Sequence, residues 1–387
     1  MTSVQTVSLP RFLPLFLIAI GSRIIIVVVG CILGSLPPDN RPIDQGQLLP
    51  GPAALRAQIA ASSARPIEPW YRWDAGWYVN VATNGYLNAR DDQVVLGGTA
   101  FLPALPACLA TALFLGMNPF WAGLLATNLA SAAGMAVFAR VATRLTGDAK
   151  LGLRAFVLLI VFPTSLFFSA PYNEAFGLLF TSLALSAWLS EKPIRAGFFA
   201  ALGSLSRLTG ISLGMASLGG WMIGDRTWTG FKRAAILACG SFLGLILFWS
   251  YLGLVVGDPF SGIKVQGAWG RKPLSLWNIW PSIQSIYNPE MPFWGEGFTA
   301  LSFLVLGIRA WIKRGAFWGI LTLVPIGQMM ITGTFLSGHR IVLAGLPAFI
   351  EMADLLRHRL LFKIAIVVFA CIQFALLNRY VHWEFAG

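Results

Sequence analysis

Long apolar runs constrain this chain more than any other feature. Several approach or exceed the roughly 20 residues that a membrane-spanning helix needs, from Phe12–Leu36 near the N-terminus to Leu361–Leu377 near the C-terminus. Only 11% of the residues are charged and the mean hydropathy is +0.70, whereas soluble domains carry about 25% charged residues. Because hydrocarbon leaves the backbone without external partners, such runs favour helices. The sequence therefore predicts an all-α polytopic membrane protein.

The distribution of lysine and arginine predicts how the chain is oriented. With the N-terminus in the cytoplasm, more than half of these residues fall in short loops on the cytoplasmic side, as the positive-inside rule requires. We expect about eleven crossings in a single domain over residues 1–387, with long external segments at 37–98 and 257–297. The alternation holds only if Ala100–Gly116 does not fully cross. This loop bias accounts for the net charge of +12 without nucleic acid.

The most distinctive polar segment follows the first apolar run and contains a single carboxylate, Asp74, with Arg72 two residues before it. Three aromatic residues that suit stacking on the apolar face of a sugar lie beside it: Trp73, Trp77 and Tyr78. A carboxylate in this setting is a candidate general base. The alternative is an N-cap, because Asp74–Asn88 has the pattern of an amphipathic helix on the membrane surface.

Further polar residues lie at the ends of apolar runs, on the face predicted to be external. Asn173 and Glu174 form a turn in which the acid either supports Asp74 or simply begins a helix. Arg207 lies between two short apolar runs, where a phosphate ligand and a structural ion pair are equally open. His339 and Arg340 together suit a phosphate head, or form an incidental polar loop.

Taken together, one acid and several cations beside lipid suit a substrate with an isoprenoid tail and a phosphate head. A phosphate leaving group needs cations, and the attacking hydroxyl needs a base. The sequence has no cluster of His, Cys, Asp and Glu with the spacing of metal ligands, so we expect neither a metal site nor a cofactor. It also has no P-loop and no dinucleotide-binding fingerprint.

Four segments in order resemble the motifs of PIG-V-type mannosyltransferases, which are GPI mannosyltransferase II-like members of the GT-C superfamily. They are Arg72–Tyr86, with its Arg-Trp-Asp and Gly-Tyr; Ala100–Pro106; Pro163–Glu174, with its Tyr-x-Glu; and Ser206–Gly210. The resemblance implies a GT-C fold, an external active site and a polyprenyl-phosphate-linked sugar donor, usually mannose. It also implies inversion at the anomeric carbon, and it makes Asp74 the base or another essential acid.

The resulting hypothesis is a hexose transfer, with mannose the expected sugar, to an acceptor hydroxyl outside a bacterial inner membrane. Asp74 and Glu174 are the candidate catalytic residues. The candidate substrate-binding residues are Arg72, Trp73, Trp77, Tyr78, Asn173, Arg207, His339 and Arg340. A lipid-linked sugar transporter or flippase, or another enzyme acting on polyprenyl phosphates, is the alternative. The sequence does not specify whether the acceptor is a glycan, a lipid or a protein.

Overall fold

The computed structural model describes residues 8–36, 59, 62–88, 96–224, 226–287, 294–384 and 386. Within these ranges the chain forms α-helices, short 3-10 helices and turns, and no β-strand. The α-helices in chain order are α1 Phe12–Ser35, α2 Ala75–Asn88, α3 Ala104–Phe114, α4 Pro119–Thr146, α5 Ala149–Val161, α6 Glu174–Leu189, α7 Pro193–Ser206, α8 Ser212–Ile223, α9 Trp228–Val255, α10 Ser261–Lys264, α11 Ile279–Ser285, α12 Trp294–Arg314, α13 Ala316–Met330, α14 Gly338–Ile341, α15 Leu346–Leu355 and α16 Arg359–Val381. Most of the first half of the predicted external segment 37–98 lies outside the described residues.

Five of the described helices are long and apolar enough to cross a membrane: α1, α4, α9, α12 and α16. Shorter apolar helices are α3, α6, α13 and the segment Leu208–Ile223. A helix rises about 1.5 Å per residue, so the 11-residue α3 extends over about 16 Å, roughly half of the hydrocarbon core. Residues 100–116 therefore contain no helix that crosses by itself. The figure of eleven crossings stays a prediction, while the apolar helices make the chain an integral membrane protein.

Helix α5 ends at Val161, and Pro163 begins the 3-10 helix Pro163–Phe168, because proline cannot continue a helix. The carbonyls freed near this break are bound by Arg23 of α1, which is fully buried. Its guanidinium donates to Ile160 O at 3.1 Å and to Ser165 O at 2.8 Å. A cation at the C-terminal end of a helix is electrostatically favoured. The arginine inside the first apolar run thus has backbone carbonyl partners within the protein.

Helix α2 forms where the amphipathic pattern predicted it, but its apolar residues pack against protein. Trp77 is 1% exposed and stacks on Phe101 with 5.7 Å between the ring centroids. Tyr78 meets the same ring edge-on. Gly85, with φ of 71°, interrupts the helix near its end. The first half of this helix is therefore enclosed by neighbouring elements, and its location at the membrane surface stays a prediction.

Candidate active site

Arg340 joins the two candidate catalytic carboxylates. Its Nε donates to Glu174 Oε1 and its Nη2 donates to Asp74 Oδ2, each at 2.8 Å. Arg207 also forms an ion pair with Glu174. The Arg340 guanidinium lies over the ring of Tyr172, 4.6 Å from its centroid. Residues separated by up to 266 positions thus form one charged cluster.

Burial differs sharply between the two acids. The side chain of Glu174 is 1% exposed, whereas that of Asp74 is 23% exposed. Burial lowers the pKa of Arg340, but Glu174 and Asp74 raise it by more than burial lowers it. The pKa of Arg340 therefore lies well above its ordinary value. Burial, and then Glu174 and Asp74, raise the pKa of Tyr78, so its hydroxyl stays protonated. Asp74 is therefore the carboxylate that a substrate can reach, beside a permanent cation and a neutral phenol.

The backbone around Asp74 is shaped to present its side chain. Trp73 has φ of 51°, in the left-handed region that non-glycine residues seldom occupy. Such conformations cost about 1–3 kcal/mol and cluster at functional sites. The carbonyl oxygen of Asp74 accepts the Trp77 N–H at 3.0 Å. Among the hydrogen bonds of the described residues, the Asp74 carboxylate binds Arg340 rather than the N-terminal N–H groups of α2.

A cavity of about 390 Å³ opens beside this cluster, within the range of small-molecule sites. Its polar side includes Asp74, Arg207 and Arg340, together with the rings of Trp73 and Tyr78. Its other walls are apolar and come mainly from α9 and the segment after α7: Leu208, Ile211, Leu245, Phe248 and Trp249. The cavity thus has a charged end and an apolar side.

Three residues predicted to bind substrate lie outside the lining of this cavity. Arg72 donates to both carboxylate oxygens of Glu68, at 2.5 and 2.9 Å, and to Val381 O at 2.9 Å. Asn173 is 1% exposed and bonds the backbone at the start of α3. Trp77 is a core residue. The polar groups or rings of Arg72, Asn173 and Trp77 are thus occupied by protein, and a substrate contact for them stays a prediction.

Two further candidates also lie outside the lining of this cavity. Glu174 is buried among Arg207 and Arg340, with which it forms ion pairs, and its catalytic role stays a prediction. The His339 ring turns away from the cavity: Nδ1 lies 3.0 Å from Thr299 Oγ1 and Nε2 lies 3.7 Å from Glu296 Oε2. Burial, and secondarily Arg379, lower the pKa of His339 to about 4. The contacts of the His339 ring are thus with Thr299 and Glu296, and its role toward a phosphate stays a prediction.

The structure adds cavity residues that the sequence did not single out. Arg271 and Lys272 line it from the second long polar segment, and Trp269 and Tyr172 contribute rings. A signal was present in the sequence. The face predicted to be external is poor in cations under the positive-inside rule, so an Arg-Lys pair there is not explained by loop charge.

No protein-family model and no curated protein matches this sequence. Among solved structures, the chain is similar to ArnT from Cupriavidus metallidurans, which was crystallised bound to undecaprenyl phosphate. The TM-score is 0.50 at 16% sequence identity, over 78% of this chain and 59% of ArnT. The chain has an ArnT-like GT-C fold. It spans about three fifths of ArnT's length, and at this identity the likeness concerns the fold alone.

Proposed function

We propose that the chain is a membrane glycosyltransferase that moves a hexose from a polyprenyl-phosphate donor to an acceptor hydroxyl. The observation that carries this proposal is the Asp74 carboxylate, partly exposed in the cavity and held by Arg340 at 2.8 Å. A base fixed in this way can accept a proton from a bound alcohol. The similarity of the motif Arg72–Tyr86 to PIG-V-type mannosyltransferases favours mannose as the sugar.

The shape and charge of the cavity suit such a donor. Its apolar walls offer a place for isoprenoid units, and its charged end offers cations for one phosphate. ArnT, whose fold this chain shares, was crystallised with undecaprenyl phosphate. In the proposed orientation the charged end faces the outside of a bacterial inner membrane, where the sequence places Asp74 and Arg340.

The proposed reaction is a single displacement. The acceptor oxygen attacks the anomeric carbon while Asp74 takes its proton, and the bond from that carbon to the phosphate oxygen breaks with its electron pair leaving on the phosphate. Attack opposite the leaving group inverts the configuration. Arg340 holds the Asp74 carboxylate in place, Trp73 and Tyr78 shape the sugar pocket, and the cavity cations stabilise the departing phosphate.

The decisive experiment measures sugar transfer, and slow hydrolysis to free sugar, by purified wild type and Asp74→Asn with synthetic polyprenyl-phosphate mannose and glucose. Asp74→Asn should bind donor normally and lose about 100-fold or more in turnover, because a positioned base contributes about 10²–10⁴-fold. Asp258→Asn is the matched control, since Asp258 pairs with Lys264 away from the cavity.

Two results would contradict the proposal in different ways. Turnover by Asp74→Asn at the wild-type rate would remove the base assignment. Donor binding by both proteins without any transfer or hydrolysis would favour a lipid-linked sugar transporter or flippase instead.

A further inference from the structure

We propose that Arg271 and Lys272, rather than Arg207 and Arg340, bind the phosphate of the lipid-linked donor. This assignment rests on the proposed function and names the residues that bind the phosphate leaving group of the proposed reaction. Arg207 and Arg340 were the sequence-based candidates, but both are already engaged by carboxylates. A cation whose charge is compensated by Glu174 or Asp74 attracts an anionic ligand less strongly than a cation without a carboxylate partner.

Arg271 and Lys272, in the second long polar segment, differ from Arg207 and Arg340 in this respect. Both line the cavity, and within the described part of the chain neither forms a salt bridge with a carboxylate. The side chain of Arg271 donates to an uncharged partner, Gln266 Oε1, at 3.0 Å. Burial, and then Arg340, lower the pKa of Arg271 to about 10, while Asp74 partly offsets this. Arg271 therefore stays charged at neutral pH, within electrostatic range of the reacting centre.

The backbone that carries these side chains is fixed in advance of any ligand. Lys272 N–H donates to Thr332 O at 2.7 Å, and Ser275 N–H donates to Ile331 O at 3.1 Å. The aliphatic stem of Lys272 packs on Gly333, where an added Cβ would lie 2.9 Å from Lys272 Cδ. The second segment is thus tied to the end of α13. Preorganised donors spend little free energy on ordering when charge develops nearby.

The number of cations matches the chemistry of the leaving group. A sugar phosphodiester carries one negative charge, and the phosphate gains a second as the bond to the anomeric carbon breaks. Two cations without carboxylate partners therefore compensate the departing group as its charge grows. The planar fork of arginine suits two phosphate oxygens, and lysine adds a point charge.

The test measures equilibrium binding of decaprenyl phosphate and of decaprenol, which lacks the phosphate, to full-length protein in nanodiscs. Wild type should prefer the phosphate lipid. Arg271→Gln and Lys272→Gln should each lower affinity for that lipid by about tenfold or more, because hydrogen bonds to charged groups contribute about 1.5–3 kcal/mol, and should leave decaprenol binding unchanged. Arg271→Lys should retain part of the preference. Lys264→Gln removes a charge from the same segment outside the cavity and should match wild type.

Each contrary result is specific. If Arg271→Gln and Lys272→Gln keep the wild-type preference, the assignment is overturned while the proposed function stands. If the variants bind decaprenyl phosphate and decaprenol equally more weakly than wild type does, the two residues shape the cavity and do not bind the phosphate. The assignment is then again overturned. If wild type itself does not distinguish the lipids, the polyprenyl-phosphate donor is wrong and the proposed function falls first.

Discussion

Arg340 is the residue on which the geometry of the site depends. It bridges Asp74 and Glu174 while its Cζ lies over the rings of Tyr172 and Phe167, 4.6 and 5.1 Å from the ring centroids. Only a planar guanidinium can donate to two carboxylates and stack at the same time. The guanidinium stands where the two acids would otherwise repel each other. This pairing explains how a buried Glu174 and a reachable Asp74 lie beside the same cation.

His339, next to Arg340 in sequence, is expected to make stability depend on pH. Its folded pKa of about 4 lies below the ordinary 6.5, so between these values the unfolded chain binds a proton that the folded chain does not. The stability contributed by neutral His339 is present above pH 6.5 and is lost as the pH falls. The loss is at most about 1.4 kcal/mol per pH unit. Glu296, Thr299 and Arg379 face or influence this ring.

The check compares thermal unfolding at pH 7.5 and 5.5. The unfolding temperature of wild type should fall more on acidification than the unfolding temperature of His339→Gln. His358→Gln, at an exposed histidine before α16, should behave as wild type. Equal losses in wild type and His339→Gln would mean that His339 is not a buried neutral group.

At the scale of elements, the second long segment closes over the cavity through a tight approach of α10. A Cβ added to Gly262 would lie 2.3 Å from Thr99 O in the 3-10 helix Gly97–Ala100. Both residues line the cavity. Gly262→Ala should push the segment outward and raise the KM for donor about tenfold. Gly267→Ala is the matched control in the same segment, because nothing lies within 4 Å of its added Cβ. A normal KM for Gly262→Ala would show that the segment tolerates displacement.

Across the whole molecule, charge is arranged at two ends. One end carries Arg340 and its carboxylates. Elsewhere, the fully buried Glu351 of α15 pairs with Arg309 and Arg314 of α12, at 3.0 and 2.9 Å. Removing one partner of a buried pair usually costs about 3–5 kcal/mol, so this pairing fixes α15 against α12. These arginines lie in the last turns of α12, at the end that the positive-inside rule predicts to be cytoplasmic.

The predicted sidedness can be measured in intact cells. A membrane-impermeant thiol reagent should label Lys264→Cys, in the second segment predicted to be external, and should leave Glu191→Cys unlabelled until the cells are opened. Both side chains are well exposed, at 70% and 78%. The native cysteines are accounted for by a parallel sample of unmodified protein. Labelling of Glu191→Cys alone would invert the predicted orientation and place the cavity on the cytoplasmic side.

The sequence by itself determined the class of this protein, because apolar length and backbone hydrogen bonding leave a chain of this composition few alternatives. It also indicated the interruption at Arg207 between two short apolar runs, where α7 ends. Asp74 stood out for a similar reason, as a lone acid in an aromatic segment.

Only the tertiary structure decided which polar residues meet. Arg72, Trp77 and Asn173 belong to the family-like motifs, yet their side chains bind or pack against neighbouring protein groups. The His339 ring contacts Thr299 and Glu296 instead of the cavity. Arg271 reaches the cavity because hydrogen bonds next to it tie its segment to the end of α13. Partners so far apart along the chain leave no periodic trace in it, since a hydrogen bond or ion pair depends on distance in space and not on spacing in sequence.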